Sequence, residues 1–210
     1  MKIEEVINHV NVYGLEDSVR GAKFSMAVDV NAIDGTITET THRLANSPMG
    51  SGHDNFMNGI IVQFDLTFTN KAWVEAERYH FFDFVSSQST MHRITKFDLD
   101  KAYIEYTDPR IIEIMKEKVR EYNELQNTLK KKQEEGQDVS ELRQDLTRRY
   151  LEILYSNPAG FKITARMTTN YRQLKTMYIQ RKDHRLPEWR TFCKWIETLP
   201  YSEFITNTQK

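Results

Sequence analysis

Two arginines nine residues apart, Arg172 and Arg181, carry the strongest chemical signal in this chain. Between them Leu174, Met177 and Tyr178 recur at helical spacing, so the segment reads as a helix with one buried stripe. Nine residues are about two and a half helical turns, which sets the two guanidinium groups on roughly opposite sides. With Asn170 just ahead, one helix can offer fixed donors to two different anions or base edges in a crevice. A second group lies upstream: Arg78, Ser87, Ser89, His92 and Arg93 supply arginine forks and hydroxyls of the kind that phosphate recognition needs. Interleaved with them, Tyr79, Phe81, Phe82 and Phe84 suit either the walls of a flat slot or plain core.

Other chemistries find little support. His53 follows a glycine-rich stretch and reads equally as a ligand contact or an ordinary loop histidine. His80 and His92 lack carboxylates at metal-ligand spacing, so no metal site is expected. The single cysteine, Cys193, excludes an intramolecular disulfide and reads as a buried structural thiol. His184 and Arg185, just past the arginine helix, read as solvent-facing. There is no Gly-x-Gly-x-x-Gly, no Walker lysine loop and no Gly-x-Ser-x-Gly elbow.

The elements that must position these residues follow from pattern. Apolar residues make up 39% of the 210, enough for a sizeable core, and 28% are charged. Twenty-nine lysines and arginines nearly balance 30 aspartates and glutamates, so no nucleic-acid or membrane partner is expected and any anion site is a local cluster. No segment approaches the ~18 apolar residues of a membrane helix, and the acidic start Met1-Lys2-Ile3-Glu4-Glu5 is unlike a signal peptide; a cytoplasmic protein is expected. Residues 2–12 read as a strand, 17–28 and 36–46 as short helices, and Ser47-Pro48-Met49-Gly50-Ser51-Gly52 as a loop. Residues 60–69 alternate and form the best strand; 71–85 read as a helix rich in aromatics, and 97–106 as a further strand. From Pro109 to Tyr155 one apolar face (Ile111, Ile112, Met115, Val119, Tyr122, Leu125, Leu129) is interrupted at Gly136 and resumes at Val139, Leu142, Leu146 and Tyr150. That is a helical hairpin over 109–155, with Asp108 as cap and Pro109 in the first turn. The Lys130-Lys131-Lys132 run reads as a solvated helix end.

Several motifs in consistent order resemble the flavin-dependent thymidylate synthases. Asn170-Tyr171-Arg172-Gln173-Leu174 followed by Gln180-Arg181 resembles that family's Asn-x-Arg-Ser-Leu and Leu-x-Arg signature, with Gln173 in place of serine. Gly14 to Ser25 is similar to its opening segment, with Lys23 in place of arginine. Gly52-His53, Phe56 and the strand at 60–69 resemble its Gly-His and Phe-x-Phe segment, with Asn58-Gly59 where Glu-His is expected. The family's Arg-His-Arg motif falls on Arg78 to Arg93 in two registers, both open. One places Arg78-Tyr79-His80 on the triplet; the other matches His80 to the central histidine and Ser89 to the motif serine. In neither does an arginine occupy the Ser-x-Arg position, since Arg93 lies two or three residues beyond.

The resemblance, running from about residue 6 to 196, implies a single domain over 1–210 with an α+β fold: a twisted, mainly antiparallel sheet packed by helices, with the hairpin inserted. It implies FAD held by His53, Arg78, His80, Asn170 and Arg172, and a pyrimidine nucleotide, dUMP, held by Arg78, Ser87, Ser89, Arg93 and Arg181. Arg181 is then the catalytic candidate, polarising the uracil edge. It further implies NADPH as electron donor, methylenetetrahydrofolate as carbon donor, and a homotetramer with shared sites. Three alternatives stay open beside it: a diverged enzyme making another 5-substituted nucleotide, a non-catalytic nucleotide- or flavin-binding protein, and a structural oligomer built on the hairpin.

Overall fold

Alternation of side chains governs the sheet. The computed structural model describes residues 1–207. Its strands β1 (Ile7–Tyr13), β2 (Ile61–Thr69), β3 (Asp83–Ser87) and β4 (Lys162–Asn170) lie in the order β1-β2-β4-β3. β1 runs antiparallel to β2, and β3 antiparallel to β4. In β2 the residues Val62, Phe64, Leu66 and Phe68 are fully buried, while Gln63, Asp65 and Thr67 between them are half-buried. The period of two thus separates a core face from a polar face. On the polar face the hydroxyls of Thr67 and Thr164 lie 2.8 Å apart, and Arg166 donates to Asp65 at 3.2 Å.

The helices are α1 (Leu15–Ala22), α2 (Glu39–Ala45), α3 (Asn70–Ala76), α4 (Thr90–Arg93), α5 (Pro109–Glu134), α6 (Ser140–Ser156), α7 (Tyr171–Arg181), α8 (Pro187–Ile196) and α9 (Glu203–Thr206). The chain divides into two compact units. One comprises Met1–Phe68, Ala72–Ser87 and the segment from Thr164 onward; the other comprises Thr69–Lys71 and Gln88–Ile163. In the first, α8 lays its aromatic face on the sheet: Phe64 meets Trp195 at 4.6 Å between ring centroids, and Phe68 meets Trp189 at 4.8 Å, a close aromatic packing. Cys193 lies in the same helix, 2% exposed.

In the second unit, α5 and α6 form the expected hairpin, ending one residue beyond the predicted limit. Asp108 caps α5 by accepting from the Arg110 amide at 2.9 Å, and Pro109 occupies the first turn. Gly136, at φ 73°, closes it: Gly136 and Gln137 amides donate back to the carbonyls of Gln133 and Lys132, a Schellman arrangement. Met115, Tyr122 and Ile153 pack with Ile94, Leu99, Tyr103 and Phe161, and Arg149 reaches across from α6 to Glu121 at 2.7 Å.

Several expectations are corrected. The helix predicted over 71–85 stops at Ala76; the aromatics beyond it lose helical period, and residues 83–87 add an edge strand to β4. The predicted strand over 97–106 is absent apart from one bridge, Tyr103 to Phe161, because its apolar residues face the hairpin instead of a sheet. The helix predicted over 17–28 is α1, which ends at Ala22, and the rest of that range holds a 3₁₀ turn at Phe24–Met26. The first strand starts at Ile7, after a 3₁₀ turn at Ile3–Glu5. β4 was not anticipated, although Ala165 and Met167 alternate with Thr164, Arg166 and Thr168 as a half-buried strand requires.

Burial pushes the Cys193 thiol up to about 12, so almost no thiolate forms at neutral pH. Thiol reagents should therefore label Cys193 only as the protein unfolds. Rapid stoichiometric labelling of native protein at neutral pH would contradict this placement.

Candidate functional site

The arginine helix is built as its spacing predicts. Asn170 ends β4 and caps α7, its Oδ1 accepting from the Gln173 amide at 2.8 Å. Leu174 and Met177 are fully buried, and Tyr171 donates its hydroxyl to the Pro200 carbonyl at 2.6 Å. With that stripe anchored, Arg172 and Arg181 turn to different surroundings.

Arg172 faces the loop that follows α2. Its Nε donates to Oδ1 of Asp54 at 3.1 Å, and Asp54 is fully buried. The second carboxylate oxygen accepts from Nζ of Lys175 at 2.9 Å, which is itself fully buried. Lys175 gives its other protons to the carbonyls of Ala45 (2.7 Å) and Ser47 (2.9 Å), so all three ammonium donors are satisfied. The glycine-rich loop is thereby tied to α7 by a buried ion pair. His53, exposed, lies at its end and lines an open groove of about 550 Å³ with Ser18, Gly21, Ala22, Phe56 and Gly59 among others. Lys175 was missed in the sequence; the available signal was a lysine directly beside the buried Leu174, one turn from Arg172.

Arg181 lies on the other side, in a different cluster. Its Nε donates to the Tyr79 hydroxyl at 2.6 Å and its Nη1 to Glu75 at 2.9 Å. Its guanidinium carbon sits 4.9 Å from the Trp189 ring and 5.4 Å from that of Tyr79, both within cation–π range. The Arg181 side chain is only 11% exposed. Tyr79 in turn donates to Gln180 at 2.9 Å, and burial raises its phenol above the ordinary value. His184, expected to face solvent, instead turns inward: Nδ1 accepts from the Leu186 amide at 3.2 Å, and Nε2 lies 2.8 Å from Nη1 of Arg181 and 3.2 Å from Glu75. Burial is the main cause that lowers the His184 pKa below its ordinary 6.5.

These residues border a cleft of about 310 Å³ lined by Arg78, Tyr79, His80, Gln173, Thr176, Gln180 and Arg181. Three of the predicted site residues, Arg78, His80 and Arg181, therefore meet there, and none of the lining side chains is a carboxylate. Asn170 is the helix cap and Arg172 the partner of Asp54; neither belongs to the lining of this cleft, and His53 lines the separate groove. Ser87 is exposed at the end of β3, opposite Ala165. In the other unit, Ser89 precedes α4 and its carbonyl accepts from the amide of Arg93, whose side chain is exposed. Tyr79, Gln173, Thr176 and Gln180 complete the cleft, and Glu75 and His184 hold Arg181 from behind.

No protein-family model matches the chain, and no curated protein matches it. Solved structures do. A crystal structure of the flavin-dependent thymidylate synthase ThyX from Helicobacter pylori, complexed with FAD and dUMP, superposes with a TM-score of 0.63 at 15% identity, covering 98% of this chain and 99% of that one. A second, of the Helicobacter pylori enzyme with FAD and dUMP, gives 0.61 at 15% identity over 96% and 95%. The fold is that of the flavin-dependent thymidylate synthases.

Two outcomes test this geometry. Replacing one member of a buried pair leaves the other charge uncompensated, so Lys175→Met should cost about 3–5 kcal/mol in chemical denaturation. Adding Asp54→Leu should then cost less than the sum of the singles; strict additivity would mean the two residues do not interact. For His184, the folded chain holds its proton less tightly than the unfolded one. Stability from the neutral ring is therefore fully present above 6.5 and lost as pH falls through 6.5 towards the lowered folded value. The stability advantage of wild type over His184→Gln should shrink between about pH 7.5 and about pH 5.5, whereas a pH-independent difference would refute the shift.

Proposed function

We propose that this chain is a thymidylate-synthase-like protein that binds a pyrimidine nucleotide and a flavin. In this reading residues 1–210 act as one domain, in the cytoplasm, within a homotetramer. The reaction is reductive methylation of dUMP to dTMP, with methylenetetrahydrofolate giving the carbon and NADPH the electrons. The observation that carries the reading is the cleft itself: Arg78, His80 and Arg181 converge on about 310 Å³ with no carboxylate in the lining, on a fold shared with nucleotide-binding ThyX structures over 98% of the chain. Guanidinium and amide donors in a partly enclosed site suit a phosphate and the carbonyl edge of a uracil.

The donor set also fits a flavin in part. Amide, imidazole and guanidinium donors can meet the polar edge of an isoalloxazine, and His53 with the small residues of its groove leaves room for a flat or extended group. A bound flavin supplies two electrons as hydride. The protein's own part is to hold and polarise: Arg78 and His80 take the exposed anionic end, Gln173 and Gln180 read a carbonyl–imide edge, and Arg181 steadies negative charge developing on the ring oxygen.

A second reading, a nucleotide-binding protein with diverged or absent catalysis, is favoured by one observation. The Arg181 guanidinium already serves Glu75 and Tyr79, so less of its charge is available to a substrate oxygen.

The test is dUMP titration by calorimetry, with the visible spectrum recorded before and after incubation with FAD and desalting. Arg181→Lys is the variant of choice, because it keeps a cation for Glu75 while removing the fork. It should weaken dUMP binding by about tenfold or more in a variant that still folds by circular dichroism. Unchanged affinity in the folded variant would overturn the role given to Arg181. Retained flavin absorbance with turnover would select the enzyme, and dUMP binding without flavin the second reading.

A further inference from the structure

A guanidinium has donors and no acceptor, so a hydroxyl that meets it must accept. Nε of Arg181 donates to the Tyr79 hydroxyl at 2.6 Å, which commits the phenol oxygen as acceptor there. The hydroxyl proton is then directed elsewhere, and it goes to Oε1 of Gln180 at 2.9 Å. Burial raises the Tyr79 phenol above its ordinary value, so it keeps that proton at neutral pH. Polarity therefore runs one way through three side chains, from guanidinium to hydroxyl to amide. Gln180 spends its carbonyl oxygen on Tyr79 and is left with an NH₂ group, two donors, for whatever else it meets.

Arg181, Tyr79 and Gln180 all line the cleft of about 310 Å³. The relay is anchored at one end and open at the other. The Tyr79 ring lies 5.8 Å from that of Trp189 and 5.4 Å from the Arg181 guanidinium carbon, whereas Gln180 is exposed. Gln173, the second amide of the lining, makes no side-chain hydrogen bond among the described residues and is free to present either end. Of the two amides, only Gln180 therefore has a fixed sense. Uracil and cytosine differ at ring position 4, where one carries a carbonyl oxygen and the other an amino group. An NH₂ turned towards that position pairs with the oxygen and opposes the amino group, donor against donor.

We propose that Gln180 is a specificity-determining residue that selects a 4-oxo over a 4-amino pyrimidine, with Tyr79 as the positioning residue that holds its amide donor-outward. The inference rests on the nucleotide-binding reading of the cleft. Its signature is a ratio of affinities. The two nucleotides share sugar and phosphate, so a merely structural role for Tyr79 or Gln180 would weaken both alike and leave the ratio unmoved.

The experiment titrates dUMP and dCMP by calorimetry into wild type, Tyr79→Phe, Gln180→Leu and Gln180→Glu, each checked for folding by circular dichroism. Wild type should prefer dUMP by roughly tenfold, the order of one hydrogen bond exchanged for an unpaired donor. Tyr79→Phe frees the amide to turn over and Gln180→Leu removes it, so both should bring the ratio towards one. Gln180→Glu keeps an acceptor for Tyr79 and turns a second acceptor outward, so the ratio should move in favour of dCMP. Equal affinity of wild type for the two nucleotides would overturn the inference and leave the nucleotide reading standing. So would a preference for dUMP that survives in both Gln180 variants, since the discrimination would then lie elsewhere in the cleft. Selectivity lost in Gln180→Leu but kept in folded Tyr79→Phe would refute the positioning by Tyr79 on which the proposal turns. Wild type binding neither nucleotide would remove the inference and the nucleotide reading together.

Discussion

The Asp54 carboxylate and the Lys175 ammonium, both fully buried, are the interaction on which the C-terminal half of the larger unit's architecture turns. A charge removed from water is tolerated only when paired and fully hydrogen-bonded, and this pair meets the condition through the Ala45 and Ser47 carbonyls and through Arg172. A loop of serine, proline and glycine has no regular structure of its own to specify where it lies. The ion pair specifies it, fixing the chain after α2 against α7 and with it the setting of His53. Arg172 thereby becomes part of the scaffold as well as a member of a recognisable motif.

Arg181 shows the same economy applied nearer the cleft. Two aromatic faces and a carboxylate hold the guanidinium almost out of solvent, which removes the rotamer entropy that a long side chain otherwise loses on binding a ligand. The cost is competition, because Glu75 has a prior claim on the same charge. An arginine so arranged is preorganised but partly neutralised. That balance, more than the mere presence of an arginine in a motif, separates a strong electrophilic site from a simple binding one.

The sheet shows where the fold is firm and where it is open. β2 is sealed on its core face by α8, whereas every residue of the edge strand β3 is exposed. A strand buried on one face can hold only one register, since a slip would invert it. The short segment between α3 and β3 is under no such demand, and its backbone is set by single contacts such as that from Thr169 to Phe81.

Local periodicity is what the chain announces by itself. The hairpin over 109–155, the strand at 60–69 and the buried stripe of the arginine helix were legible because each repeats along consecutive residues, and cap residues such as Asp108 and Gly136 act within one or two turns. The α+β class followed from the resemblance built on ordered motifs. The aromatics of residues 71–85 carry both a helical and an extended reading, and the choice is made by β4, an element some 80 residues away in the chain. Which residues complete the sites was decided only in three dimensions. Lys175 meets Asp54 across 121 residues, and Arg181 meets Tyr79 across 102 and Glu75 across 106. Nothing in the neighbourhood of a lysine or an arginine records a partner so distant, because hydrogen bonds and ion pairs act over a few ångströms of space and only folding brings those groups within reach.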